Sequence, residues 1–279
     1  MVWSSLPFDD STVDRLWAVA AALLVSGLGL GVGIALVLAL SLLLIGVGLD
    51  PSPFTLLVIS LVSIQGVAFG GVALLYLRFR GRPVTTVGLR LPSVRELLIV
   101  VAGYATAFVA AITGAIVIGI TGAPAGENQV AEFASADPTV LLWLIPASFL
   151  LIGPGEELLF RGIVQGRLRE TFDRVPGVVL ASALFAAVHF VALTGGAGGR
   201  LVTITILFFP ALVFGAVYEI TDNLVVPALV HGAYNATLFA LAYLAIRLSE
   251  SGAFPQGGPG AGTETAALGL LDAMVALPV

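Results

Sequence analysis

Long apolar segments constrain this chain more than any other feature of its sequence. Seven of them are almost free of charged residues, and each is close to or above the length of about 20 residues that a helix needs to cross a bilayer. The segments are Leu16–Val47, Phe54–Tyr76, Leu97–Ile120, Val140–Phe160, Val175–Leu193, Leu201–Ile220 and Leu224–Ile246. The sequence therefore predicts an all-α, polytopic transmembrane helix bundle with seven spans.

An eighth span is the alternative to this count. The stretch Ala266–Val279 is apolar, but its 14 residues fall short of the ~17 that a span requires. We expect it to lie at the membrane interface or to re-enter the membrane. The first span is long enough to tilt strongly. Its glycine pairs Gly27/Gly31 and Gly29/Gly33 have the GxxxG spacing that permits close helix packing.

Composition excludes several classes of function. Charged residues make up 10% of the 279 residues, against about a quarter in soluble domains. The net charge of -5 argues against a nucleic-acid partner. The absence of cysteine excludes disulfides, cysteine nucleophiles and thiolate metal sites. The acidic start and the long first apolar run favour an uncleaved helix over a signal peptide.

Arginines predict the orientation of the bundle, because cytoplasmic loops of membrane proteins carry an excess of basic residues. Arg15 precedes the first span, and two further segments are rich in arginine. The alternate loops hold Asp50, Glu127, Glu132 and Asp137, with only Arg200 and Arg247 on that side. The arginines of the two rich segments are Arg78, Arg80, Arg82, Arg90 and Arg95, then Arg167, Arg169 and Arg174. We expect a multi-pass protein of the cell membrane with a cytoplasmic N-terminus.

Ionisable residues inside predicted spans are the candidates for chemistry, because such groups are costly in a membrane. Glu156, Glu157 and Arg161 fall at the end of predicted span four. Glu157 and Arg161 are i,i+4 neighbours in the favoured acid-before-base order, so we expect them to pair. Glu156 points about 100° away from that face. Among apolar side chains and without that partner, Glu156 is the candidate general base or acid.

Two more pairs share the i,i+4 spacing, and they contain both histidines of the chain. Phe185 and His189 lie on one face of span five, and His231 and Asn235 on one face of span seven. With Glu156 they offer a base, a partner for it, and hydrogen-bond donors for an oxyanion. No serine stands beside a base, so activated water is the better candidate nucleophile.

Other interpretations of these residues stay open at this stage. An intramembrane histidine is often a hydrogen-bond partner between helices, and a Glu–Arg pair at a helix end can be an interfacial anchor. The glutamate pair and both histidines all fall within one small bundle. This argues against a purely structural role for all of them. Glu156, His189 and His231 could also supply three zinc ligands, although no HExxH motif favours that.

The ordered set of motifs resembles a known family. EExxxR (Glu156, Glu157, Arg161), FxxxH (Phe185, His189) and HxxxN (His231, Asn235) occur in this order on successive spans. They are similar to the CPBP family of CAAX-processing and bacteriocin-processing (Abi) membrane proteins, which includes the type II CAAX prenyl endopeptidases. The resemblance covers about residues 139–246.

The resemblance implies an intramembrane, glutamate-dependent protease that needs no metal cofactor. It implies that Glu156 and His189 activate a water and that His231 and Asn235 form the oxyanion hole. Glu157, Arg161 and Phe185 then support the site. The expected partners are membrane lipid and a protein or peptide substrate. The rivals are a non-catalytic scaffold or bacteriocin-immunity-type protein and a proton-coupled transporter, for which the broken helices in repeated halves are not found.

Three regions follow from this interpretation. Residues 1–138 hold three spans without an assigned role, residues 139–246 form the catalytic core, and residues 247–279 form a tail that we expect at the interface. We further expect spans four to seven to enclose a polar cavity that contains Glu156 and opens to the cytoplasm.

Overall fold

The computed structural model describes residues 10–251, and this part of the chain is a bundle of helices. Seven of its helices are long and apolar enough to cross a membrane, as predicted. A short helix, α4, lies between the third and fourth of them. The helices are α1 (Asp10–Gly46), α2 (Pro53–Phe79), α3 (Val94–Thr121), α4 (Gln129–Ala136), α5 (Val140–Arg169), α6 (Arg174–Ala192), α7 (Ala197–Thr221) and α8 (Val225–Glu250). The candidate interfacial stretch Ala266–Val279 lies outside the described residues.

Local sequence signals explain several helix ends. The side chain of Ser52 accepts a hydrogen bond from the backbone of Thr55 and caps α2, which begins with Pro53. Ser93 and Glu96 form a capping box at the start of α3. Gly122, with φ 63°, ends α3 in the left-handed conformation that glycine adopts without strain.

Helix α5 packs against α1 and α2. Gly29 allows α1 to approach closely, because a Cβ there would lie 2.8 Å from Cδ2 of Leu159 on α5. A Cβ at Gly33 would lie 3.0 Å from Cγ1 of Ile64 on α2. A Cβ added at Gly27 or Gly31 would have nothing within 4 Å. Only the second of the two GxxxG pairs is therefore a packing contact within the described residues.

The bundle has two ends, which differ in their contacts. At the arginine-rich end, the guanidinium of Arg15 lies 5.7 Å from the ring centre of Phe172, and Arg80 and Arg82 both pair with Glu170. At the other end, strand β1 (Glu127–Asn128) pairs antiparallel with strand β2 (Leu193–Thr194). We call this second end the strand end. Successive spans connect alternately at the two ends.

The fourth span is longer than predicted. The apolar segment predicts an end at Phe160, but α5 continues to Arg169 with a π-helical segment at Leu158–Gln165. A buried polar side chain of this extension bonds to a neighbouring helix: Gln165 donates to the backbone oxygen of Gly215 at 3.1 Å. Glu156 consequently lies near the middle of α5, and its predicted position at the end of the span is wrong.

Candidate active site

Glu156 has a hydrogen-bond partner that the sequence analysis missed. Gln65 on α2 donates from Nε2 to Oε1 of Glu156 at 2.7 Å. The expectation that Glu156 has only apolar neighbours is therefore wrong. The available signal was the polar amide of Gln65 within an otherwise apolar span, since such groups commonly bond across helices.

The backbone explains how Gln65 reaches Glu156. Gln65 lies in a π-helical segment of α2, Val62–Phe69, and π-helical turns often occur at functional sites. On the facing helix, residue 155 is glycine, and a Cβ there would collide with the backbone oxygen of Gln65. The close approach of α2 and α5 therefore depends on Gly155.

Glu157 is the centre of a buried polar network. Its Oε2 accepts from Nε of Arg161 at 3.0 Å, and neither side chain is exposed to solvent. Its Oε1 lies 2.9 Å from Nδ1 of His231. The guanidinium of Arg161 also lies 5.1 Å from the ring centre of Phe185. The predicted contact between Glu157 and Arg161 is present, and the structure adds His231 to it.

The two imidazoles are oriented in the same way. Nδ1 of His231 faces the Glu157 carboxylate, and Nδ1 of His189 lies 2.7 Å from the backbone oxygen of Phe185. Carboxylate and carbonyl oxygens only accept, so each Nδ1 carries the hydrogen and donates it. In the neutral ring, Nε2 is then the acceptor. Each Nε2 atom can therefore accept a hydrogen bond from another group.

These Nε2 atoms converge on one oxygen of Glu156. Oε2 of Glu156 lies 3.9 Å from Nε2 of His189 and 3.7 Å from Nε2 of His231. Oε2 has no hydrogen-bond partner among the described residues and is buried. Three acceptors that face one another can be joined by a group that donates more than one hydrogen, and water is such a group. The arrangement can therefore hold and deprotonate a water molecule.

Asn235 is placed on the same face of α8 as His231, one turn further along. Its side chain is fully buried, and neither amide atom has a hydrogen-bond partner within residues 10–251. Phe214 stacks on the His231 ring at 4.7 Å between ring centres. Unpaired buried amides are uncommon and call for an explanation, which a transient ligand for the amide would provide.

A cavity of about 470 Å³ leads to Glu156. Gln65, Glu156 and His189 are among the few polar groups in its lining, and most of its wall is apolar. Helices α1 and α2 supply nearly half of that wall. We predicted a polar cavity enclosed by spans four to seven, but the wall is mostly apolar and the first two spans also contribute to it. His231 and Asn235 are buried but do not line the cavity.

The cavity belongs to the strand end of the bundle. Of its lining residues, only Phe69 and Glu156 lie past the midpoint of their helices toward the arginine-rich end. The lining includes Asn128 of β1 and the exposed Gln129 of α4. From the sequence we predicted the N-terminus, the arginine-rich segments and the cavity opening on one side. These predictions cannot all hold, because the cavity opens at the other end.

Zinc bound by Glu156, His189 and His231 is the alternative to a metal-independent site. No group of three or more His, Cys, Asp or Glu side chains in the described part of the chain is arranged to hold a metal ion. Oε2 of Glu156 nevertheless lies 3.9 Å and 3.7 Å from Nε2 of His189 and of His231, so zinc at these three residues stays the alternative prediction. The mechanism proposed for this site uses the protein's own side chains and water.

Comparison with known proteins agrees with the motifs. Residues 138–237 match the family model described as type II CAAX prenyl endopeptidase Rce1-like. The matched region contains all three motifs, from Glu156 to Asn235, and excludes Gln65. No curated protein and no solved structure matches the chain. The family predicted from the motifs is confirmed over residues 138–237, which are similar to the Rce1-like type II CAAX prenyl endopeptidases, in agreement with the CPBP family.

Proposed function

We propose that this protein is a glutamate-dependent intramembrane endopeptidase that hydrolyses a peptide bond of a membrane-associated protein or peptide. The observation that carries the proposal is the convergence of three acceptors: Oε2 of Glu156 with Nε2 of His189 and of His231. Glu156 and His189 line the cavity, and all three residues lie within the region that matches a protease family.

The first step is attack by water. A water between Glu156 and His189 gives one proton to the Glu156 carboxylate while its oxygen bonds to the scissile carbonyl carbon. The nearby His189 Nε2 accepts a hydrogen bond from the second hydrogen and orients the nucleophile. The carbonyl π electrons move to oxygen, which becomes the oxyanion of a tetrahedral intermediate.

The second step is collapse of that intermediate. Glu156 returns its proton to the leaving nitrogen, the C–N bond breaks, and the products are a carboxylic acid and an amine. Asn235 Nδ2 has no competing acceptor among the described residues and is the proposed donor to the oxyanion. His231 can donate from Nε2 only when its ring is protonated, and the Glu157 carboxylate at 2.9 Å stabilises that cation.

Glu157, Arg161 and Phe185 support these groups without touching substrate in the proposed mechanism. Arg161 pairs with Glu157, which in turn orients His231 through Nδ1. Phe185 fixes His189 through its backbone oxygen and contacts its ring at 4.7 Å between centres. Such secondary hydrogen bonds determine which nitrogen of an imidazole faces the reaction.

Substitution Glu156→Gln tests the proposal. The purified protein is incubated in detergent with two quenched fluorescent peptides, one farnesylated and ending in CaaX and one an unprenylated transmembrane peptide. In parallel, membrane proteins that accumulate uncut in a Glu156→Gln strain are identified by mass spectrometry.

We expect Glu156→Gln to lower cleavage at least ~100-fold in a normally folded protein. Glu132→Gln is the matched control that retains cleavage. Cleavage retained by Glu156→Gln would remove this residue from the mechanism, whereas a scaffold would keep its role in that variant.

A further inference from the structure

The two ends of the bundle differ strongly in basic residues. Nine of the 12 basic residues, all arginines, lie at or beside the arginine-rich end. Arg200 and Arg247 lie at the strand end, and Arg161 is buried in α5. The nine are Arg15, Arg78, Arg80, Arg82, Arg90, Arg95, Arg167, Arg169 and Arg174. Orientation in membranes follows the number of Lys and Arg near the ends of spans, and acidic residues contribute little.

Several of these arginines share acidic partners, but this does not weaken the asymmetry. Arg80, Arg82 and Arg167 all pair with Glu170. The positive-inside rule counts basic residues during insertion and is not a rule about net charge. The rule therefore assigns the arginine-rich end to the cytoplasm and the strand end to the extracytoplasmic side.

The cavity that leads to Glu156 opens at the strand end. Its wall includes Asn128 and Gln129 of the strand end, and its lining residues Leu38 and Val191 are 57% and 50% exposed. From the first residue of α5 to Glu156 the helix advances about 24 Å at 1.5 Å per residue. An extended, largely apolar segment that enters this cavity from the strand end can reach Glu156.

We propose that the substrate reaches Glu156 from the extracytoplasmic side of the membrane. The scissile bond then lies in an outward-facing, apolar segment of a membrane-anchored or exported polypeptide. A CaaX tail on a cytoplasmic protein would meet the bundle at the arginine-rich end, whose described loop residues are not among those that line the Glu156 cavity. That a substrate enters here rests on the proposed endopeptidase function. The side on which the cavity opens is independent of that function.

Single cysteines test the side directly, because the chain contains no cysteine of its own. Asp50→Cys and Glu127→Cys mark the strand end, and Thr85→Cys and Asp173→Cys mark the arginine-rich end. All four positions are exposed. Cells that produce each variant are treated with a membrane-impermeant maleimide, before and after permeabilisation, and the labelled fraction is measured by a gel shift.

We expect both strand-end cysteines to react in intact cells at least 10-fold more than the two arginine-end cysteines. The arginine-end cysteines should react only after permeabilisation, which also shows that they are accessible in the folded protein. The reverse pattern overturns the proposal. Reaction of both ends in intact cells overturns it as well, since it shows that the bundle has no single orientation.

A second measurement connects the side to the reaction. Gln129→Cys places a thiol in the cavity wall, and a bulky impermeant maleimide is added to intact cells that carry this variant. Proteins that are cut in untreated cells should accumulate uncut, as they do with Glu156→Gln, while the same reagent on Thr85→Cys should change nothing. Continued cutting after full modification of Gln129→Cys overturns the extracytoplasmic route. If Glu156→Gln itself leaves cutting unchanged, the endopeptidase proposal fails, and the labelling pattern still reports the side.

Discussion

Gln65 and Glu156 are 91 residues apart in sequence, yet Nε2 of Gln65 donates to Oε1 of Glu156 at 2.7 Å. This contact occupies one carboxylate oxygen and leaves the other, Oε2, facing the two histidines. It also links α2 to the region that matches the protease family, although α2 lies outside that match. The second span therefore contributes to the candidate site and is not only a membrane anchor.

Gln65→Leu should lower the rate of the proposed cleavage and leave substrate binding nearly unchanged. A hydrogen bond to a charged group contributes about 1.5–3 kcal/mol, which corresponds to a loss of roughly 10- to 100-fold when it fixes the base. The loss should appear in kcat, because Gln65 acts on Glu156, and KM should change less than ~3-fold. Steady-state kinetics with any cleaved peptide measure both.

The matched control for this substitution is Gln165→Leu. Gln165 is a buried glutamine that also bonds across helices, to the backbone oxygen of Gly215, and it has no hydrogen bond to Glu156. We expect Gln165→Leu to lower thermal stability without a selective loss of kcat in the molecules that remain folded. Equal losses of kcat in the two variants would show that Gln65 has only a structural role.

Gly155→Ala should separate α2 from α5. The added Cβ would collide with the backbone oxygen of Gln65, and backbone cannot move aside as a side-chain end can. Overpacking of this kind costs about 1–3 kcal/mol, and here it should also weaken the contact between Gln65 and Glu156. Folded yield, melting temperature and kcat should all fall together.

Gly70→Ala is the corresponding control on α2, because nothing lies within 4 Å of its Cβ position. Alanine in a helix interior is favoured over glycine by roughly 0.5–1 kcal/mol, so Gly70→Ala should be neutral or slightly stabilising. If Gly155→Ala behaves like Gly70→Ala, the close approach of the two helices at residue 155 is not required.

Hydropathy was sufficient to predict the spans, because the bilayer imposes both their length and their composition. The Glu157–Arg161 contact was also predictable, since a helix brings i and i+4 together. The same rule gave the pairing of Phe185 with His189 on α6. Contacts within one helix follow from spacing alone, and these are the contacts that the sequence analysis predicted.

Contacts between helices were not predictable in the same way. The approach of Gln65 to Glu156 depends on a π-helical segment and on Gly155, and neither has a periodic signal in the sequence. The bond between His231 and Glu157 likewise needs the packing of α8 on α5. The cavity lining lies toward the end of the bundle opposite the start of α1, so the predicted N-terminus and cavity opening do not lie on one side. This depends on which halves of the helices are spaced apart, and hydropathy does not report that.

Chelation tests the expectation that no metal cofactor takes part. Treatment with EDTA and then with 1,10-phenanthroline should leave kcat within about 2-fold, because Glu156, assisted by His189, activates water in the proposed mechanism. Metal content is measured by mass spectrometry on the same samples. Loss of activity that returns on addition of Zn²⁺ would contradict this expectation and would assign Glu156, His189 and His231 as ligands.

Arg161→Leu should destabilise the fold more than any surface substitution of arginine. It would leave the Glu157 carboxylate buried without its cation, and breaking a buried pair from one side costs roughly 3–5 kcal/mol. Folded yield by size-exclusion chromatography and melting temperature in detergent measure this. Arg247→Leu is the control, since its pair with Glu250 is exposed, with 57% and 49% of the side chains accessible, and such pairs contribute about 0–1 kcal/mol.

The double variant Glu157→Gln/Arg161→Leu distinguishes pairing from other roles of Arg161. Removing both charges can be nearly neutral for stability, and the amide oxygen of the new glutamine can still accept from Nδ1 of His231. We therefore expect folded yield to recover while kcat stays low, because a neutral amide no longer stabilises protonated His231. If the double variant folds no better than Arg161→Leu alone, Arg161 does not act by neutralising Glu157. Its Nη2, which has no partner among the described residues, would then be the group to examine for contact with the substrate.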